Sequence, residues 1–151
     1  MLCLIITVFS VAAKAQDSNV KFSVGGGISS FTPKGGDASV GFSIDVTAKK
    51  DINESFEAFA QTGYNRYSNN GVSWGVIPFL VGANYKAGSL KPGLGLGYGR
   101  WQTDGGGAGG FAFSPQLGYS LEKIDLVGYY TSIKIEEGSI NLAGLKVLYN
   151  F

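Results

Sequence analysis

"GLKVLYNF", residues 144–151, is apolar at every second position. Counting back from Phe151 gives Tyr149, Val147, Leu145 and Ala143, while Asn150, Leu148, Lys146 and Gly144 between them are mixed in character. Successive side chains of a strand point to opposite faces, so this stretch reads as a β-strand with one apolar face, carried through to a final aromatic residue. The last positions of a soluble domain usually trail off in polar residues, because few contacts hold them. An apolar face kept up to Phe151 needs an apolar surrounding.

The same period recurs upstream. Candidate strands fall at about 19–31 (Val20, Phe22 and Val24 against Lys21, Ser23 and Gly25), 38–49 (Val40, Phe42, Ile44 and Val46 against Ser39, Gly41, Ser43 and Asp45) and 54–67 (Phe56, Ala58, Ala60 and Tyr64 against Glu57, Gln61 and Asn65). Others follow at about 72–86 (Ile77, Phe79, Val81, Tyr85), 90–101 (Leu90, Leu94, Leu96 and Tyr98 against a run of glycines) and 110–122 (Phe111, Phe113, Leu117 and Tyr119). A seventh, at about 125–134, is apolar on both parities, and the eighth is 141–151. Eight strands of about ten residues, separated by turn signals, leave almost nothing over. The connectors alternate: "FTPKGGD" (31–37), "YSNNGVS" (67–73), "QTDGGGAGG" (102–110) and "KIEEGS" (134–139) are Gly-rich and polar, whereas those near 49–54, 86–91 and 122–124 are tight and charged. Each set is expected at its own rim of the sheet, with "DGGGAGG" (104–110) as a mobile loop.

Composition agrees with an all-β chain. With 24 Gly beside 8 Tyr and 10 Phe, the chain is too aromatic for a disordered linker and too glycine-rich for long helices. Residues 2–12, "LCLIITVFSVA", are an apolar run too short to span a bilayer as a helix, and Ala13-Lys14-Ala15 has the small-x-small form of a cleavage site. Residues 1–15 are therefore expected to be a removed secretory signal, although no Lys or Arg precedes the run, and 16–151 the mature domain. Losing Lys14 from the twelve basic residues leaves eleven, equal to the eleven acidic ones, which gives no electrostatic footprint for nucleic acid. Losing Cys3, the only cysteine, leaves no thiol or disulfide chemistry.

Alternation alone does not separate a soluble barrel, apolar inside, from a membrane barrel, apolar outside. Four features favour the membrane. Ten residues tilted about 40° span about 25 Å, the height of the apolar band of such barrels. Aromatics fall at strand ends, with Tyr64, Trp74, Tyr98, Trp101 and Phe111 toward one rim and Tyr85, Tyr119, Tyr149 and Phe151 toward the other, as in two interfacial girdles. The less apolar face carries Lys21, Asp45, Glu57 and Lys146 among Gly and Ser, an odd choice for a water-facing surface in a chain only 15% charged. An export signal followed by a closing strand that ends in an aromatic suits a chain delivered through the periplasm. A soluble secreted barrel is the remaining alternative.

On these residues the chain resembles the small eight-stranded outer-membrane barrels of Gram-negative bacteria, the outer-membrane protein A/X type. The resemblance implies an antiparallel up-and-down transmembrane barrel of eight strands. It also implies that Leu145, Val147, Tyr149 and Phe151 are a C-terminal signal read by the barrel assembly machinery. The implied partners are outer-membrane lipids and lipopolysaccharide, and the implied state is a monomer. Activity is left open, because the family includes adhesins, structural proteins, pores and enzymes.

The chain has no His, and acyl-transfer catalysis ordinarily needs one as the base beside a Ser nucleophile. Glu136-Glu137 beside Gly138 reads as a solvated loop. The glycines of "LGLGYGRW" (94–101) lack the Lys-Ser/Thr and following helix of a phosphate loop. They either thin one lumen face or permit strong coiling. No enzymatic role, cofactor or metal is expected. Arg66 and Arg100 fall on the lipid-facing parity near the loop end of their strands, where they either snorkel to lipopolysaccharide phosphates or are merely solvated. Lys21, Asp45, Glu57 and Lys146 are expected to converge in the lumen, as a structural charge network or as the constriction of a narrow pore for ions or slender solutes.

Overall fold

A computed structural model describes residues 19–33 and 35–151; the expected signal, 1–15, lies outside the described residues. Eight strands follow one another: β1 (Val20–Pro33), β2 (Ser39–Asp51), β3 (Phe56–Asn69), β4 (Val72–Tyr85), β5 (Leu90–Thr103), β6 (Gly106–Leu121), β7 (Ile124–Ile135) and β8 (Gly138–Asn150). Each pairs antiparallel with its neighbour, and β1 pairs with β8 from Ser23↔Asn150 to Pro33↔Ile140, so the sheet closes without an edge. The Phe151 amide extends that seam by donating to the Phe22 carbonyl at 2.9 Å.

The strands run 12 to 16 residues, longer than the 9–11 or so that cross a bilayer, so their ends project beyond the apolar band. Much of the excess lies in the glycine-rich connectors. Gly106–Gly110, expected to be a loop, belong to β6 and pair with β5 from Thr103↔Gly106 to Gly99↔Gly110. A glycine donates and accepts in a ladder like any residue, and a two-residue turn suffices to reverse the chain. Asn70-Gly71 joins β3 to β4 with φ of 51° and 82°, the two left-handed positions of a type I′ turn. At the opposite rim the Asn53 side chain caps its own turn, accepting from the Ser55 and Phe56 amides at 2.8 Å each.

Parity sets the two faces. Ile28, Phe42, Ile44, Phe79, Val81, Leu96, Phe113, Leu117 and Val147 point outward and are exposed, forming an apolar belt of the kind expected to face lipid. β7, ambiguous in sequence, turns Asp125, Val127, Tyr129, Thr131 and Ile133 inward and Leu126 and Tyr130 outward.

Candidate functional site in the barrel lumen

The lumen is layered. Toward the rim holding the β3–β4 and β7–β8 turns, Phe31, Tyr67, Val76, Ile133, Ile140 and Leu142 are buried against one another, with Phe59 and Leu80 below them. These come from β1, β3, β4, β7 and β8, so the apolar layer bridges the barrel. The face that carries charges among Gly and Ser elsewhere is apolar at this height: side chains must fill an eight-stranded barrel, and apolar ones do so without needing hydrogen-bond partners. Trp74 and Trp101 belong to the same layer. They were expected in the outer girdle, but Ile77 and Phe79 face lipid on β4, which sends even-numbered Trp74 inward, where it packs on Phe31 at 5.4 Å between centroids. Tyr64 and Tyr98 do face outward, each laid over a glycine of the next strand: a Cβ on Gly75 would meet the Tyr64 ring at 2.7 Å, and one on Gly109 would meet Tyr98 Cζ at 2.7 Å.

Below the apolar layer lies the pair Asp45 and Lys146, with Oδ1–Nζ 3.5 Å and side-chain exposures of 4% and 1%. β1 runs between their strands, and its inward positions there are Gly25 and Gly27; a Cβ on Gly27 would meet Lys146 Cβ at 2.8 Å. The glycines are thus what lets a lysine of β8 reach over β1 to an aspartate of β2. Gly63 serves the same pair from the other side, since a Cβ there would meet Asp45 Oδ1 at 2.7 Å. Ser43 Oγ donates to Asp45 at 2.8 Å, and the ammonium sits 4.9 Å from the Tyr129 ring centroid.

The other two expected members are elsewhere. Glu57 is buried, but its partners are Lys91 at 3.4 Å and Asn84 at 3.2 Å, with Gln116 donating on to Asn84 at 3.1 Å. Lys21 is an exposed rim residue paired with Asp51 at 3.0 Å, and Lys86 shares that carboxylate at 2.9 Å. Lys21 has inward parity, but its side chain and that of Asp51 are exposed, at the mouth rather than within the lumen. A further buried pair, Lys49 with Asp125, spans from β2 to β7; Lys49 also donates to Asn150 at 2.9 Å, and Ser120 donates to Asp125 at 2.7 Å. Lys49 and Lys91 stand where a strand meets a tight charged connector, and Asp125 opens the strand that is apolar on both parities, so none of the three stands out in the sequence. Their signal was parity, since Lys49 shares a face with Asp45.

Among the described residues the lumen therefore holds three ion pairs, each with hydrogen-bonded neighbours, instead of one four-membered cluster. A cavity among Thr47, Glu57, Gln61 and Gln116 has about 20 Å³, room for about one water. The inward glycines of β5 make room for a packed side chain in one place and for close approach of the neighbouring strand in another. Gly95 leaves room for Phe59, whose Cζ would lie 3.2 Å from an added Cβ, whereas Gly97 is pressed against the Phe79 backbone. Among the described residues no group of three or more His, Cys, Asp or Glu is arranged to hold a metal ion.

Outside the barrel, Arg66 and Arg100 are exposed on β3 and β5, on either side of β4, opposite Gly75 and Ile77 respectively. Leu145, Val147 and Tyr149 face outward on β8, and the Tyr149 and Phe151 rings meet edge-on at 5.2 Å.

The sequence pattern of the family described as outer membrane protein beta-barrel domain matches residues 1–151. A comparison with curated proteins returns no match. Among solved structures, this chain is similar to neisserial surface protein A, at 17% identity and a TM-score of 0.64 over 89% of this chain and 98% of that one. It is similar also to Ail, the attachment invasion locus protein of Yersinia pestis (15%, 0.60, 87% and 97%). The N-terminal barrel of OprF from Pseudomonas aeruginosa is a third (18%, 0.53, 88% and 98%). At these identities the likeness is one of fold.

Proposed function

Because this chain belongs to the outer membrane protein beta-barrel domain family and so resides in the outer membrane, we propose that it is a non-enzymatic barrel with a structural or surface-interaction role. The observation that carries this reading is the apolar layer, in which Tyr67, Val76, Ile133 and Leu142, all at most 1% exposed, fill the lumen from four strands. The absence of His from the sequence speaks against a serine-type acyl hydrolase or transferase. A narrow channel for ions or slender solutes is the second reading, favoured by the inward glycines 93, 95, 97 and 99, which leave the middle of β5 without inward side chains between Lys91 and Trp101. Proteoliposome swelling tests the choice for solutes. Vesicles carrying the purified barrel are expected to swell in a pentose no faster than protein-free vesicles, and swelling that scales with protein content would favour the channel.

The partners we propose are lipopolysaccharide, bound through Arg66 and Arg100, and the barrel assembly machinery, engaged through Leu145, Val147, Tyr149 and Phe151, with the folded chain a monomer. Hydrogen bonds to charged groups contribute about 1.5–3 kcal/mol, so replacing both arginines by Ala should weaken lipopolysaccharide binding about tenfold or more. Undiminished stabilisation of the double variant by purified lipopolysaccharide in a melting assay would leave the two arginines as merely solvated.

A further inference from the structure

Above the apolar layer the outer mouth opens as a cup of about 490 Å³, within the range of roughly 300–1,000 Å³ usual for small-molecule sites. Trp74 and Trp101, the only two tryptophans of the chain, form part of its wall with Phe31 and Ile140. Asp37 and Glu137 also line it, and no Lys or Arg does so among the described residues. Both indoles are partly exposed, yet both Nε1 atoms are buried without a hydrogen-bond partner. What the two rings show to the cup is therefore hydrocarbon and not an N–H donor. Trp74 is held from below, stacked on Tyr67 at 6.4 Å, and Trp101 packs against the same apolar cluster.

Aromatic carbon beside two carboxylates is poor at holding an anion and well suited to a cation that has no hydrogen bonds to give. A quaternary ammonium is such a cation: its weakly hydrated methyl groups pack on π surface, and its charge is attracted both by the ring quadrupole and by nearby carboxylates. We propose that the outer mouth is a binding site for organic cations of the quaternary-ammonium class bearing an apolar group. Trp74 and Trp101 supply the ring surface, and Asp37 and Glu137 balance the charge. The site is independent of whether the lumen below it conducts.

Because both tryptophans lie in the cup, intrinsic tryptophan fluorescence reads it without a label. Purified full-length protein in maltoside micelles, titrated with benzyltrimethylammonium, should show a saturable change in emission. The neutral benzyl alcohol should bind about tenfold more weakly, and benzoate should give no saturable response. The variant Asp37→Asn with Glu137→Gln, its folding checked by heat-modifiable migration, should lose about tenfold in affinity for the cation and little for the alcohol. No saturable response to the cation, an equal response to cation and alcohol, or binding of benzoate would each overturn the proposal in the wild type alone. An unchanged cation affinity in the double variant would do the same.

Discussion

Lys146→Met is expected to destabilise the barrel by about 3–5 kcal/mol, because it removes one member of a buried ion pair and leaves the other uncompensated. The side chains of Lys146 and Asp45 are 1% and 4% exposed, and the carboxylate that remained would keep only the Ser43 hydroxyl as a hydrogen-bond donor among the described residues. Methionine matches the length of the lysine stem, so the lost charge and not a cavity dominates the effect. Adding Asp45→Leu removes the stranded carboxylate and should partly restore stability, since replacing both members of a buried pair by apolar residues is often neutral or better. Thermal unfolding followed by the loss of heat-modifiable migration measures both. A single variant as stable as the wild type would mean that water threads the lumen at this height and screens the pair. The expected ordering also distinguishes this pair from Lys21 and Asp51, where exposures of 57% and 40% leave little to lose.

Phe151→Ser is expected to lower the amount of folded barrel in the outer membrane severalfold, while export to the periplasm continues and the protein that does fold melts nearly as the wild type. Phe151 is 65% exposed as a residue, and among ring contacts its ring meets Tyr149 at the rim, so removal of the ring costs the finished barrel little. The backbone bond from the Phe151 amide to Phe22 does not depend on the side chain. A large loss of yield with a small loss of stability would therefore place the role of Phe151 in assembly. Equal yields of heat-modifiable protein from variant and wild type would remove Phe151 from any assembly signal.

Period-two alternation located all eight strands to within a few residues at most ends and put Asp45, Glu57 and Lys146 on the inner face. The reason is physical. Lipid enforces an apolar outer face on every strand, so outer parity is written into each strand by itself. The inner face answers to different constraints, because its partners come from strands far away in sequence. Lys146 meets Asp45 only because β1 carries glycine at 25 and 27, and Lys49 meets Asp125 across β1 and β8; neither pairing can be read from either strand alone. Height along the barrel was equally hidden. Lys21 and Asp45 share a parity, but one belongs to the mouth and the other to the middle of the lumen.

The apolar layer was obscured for a related reason. Val76, Leu80, Ile133, Ile140 and Leu142 are apolar residues on inward parity, and in the sequence they look like lapses in the alternation. They are the fill of the lumen. The same holds for Trp74 and Trp101, whose position near strand ends suggested a girdle while their parity pointed inward. At the glycine-rich connectors composition misled in another way, because Gly106–Gly110 pair as well as any strand and only Asp104-Gly105 turn.

The filled lumen is tested most directly by planar-bilayer recordings of the purified wild type and of Lys146→Met, at both polarities and in a salt gradient. The predicted result is a baseline without unitary currents for both, with the apolar layer of Tyr67, Ile133 and Leu142 intact above the missing charge. Reproducible unitary currents with a cation or anion preference, altered by the substitution, would contradict it and make the buried charges the constriction of a channel.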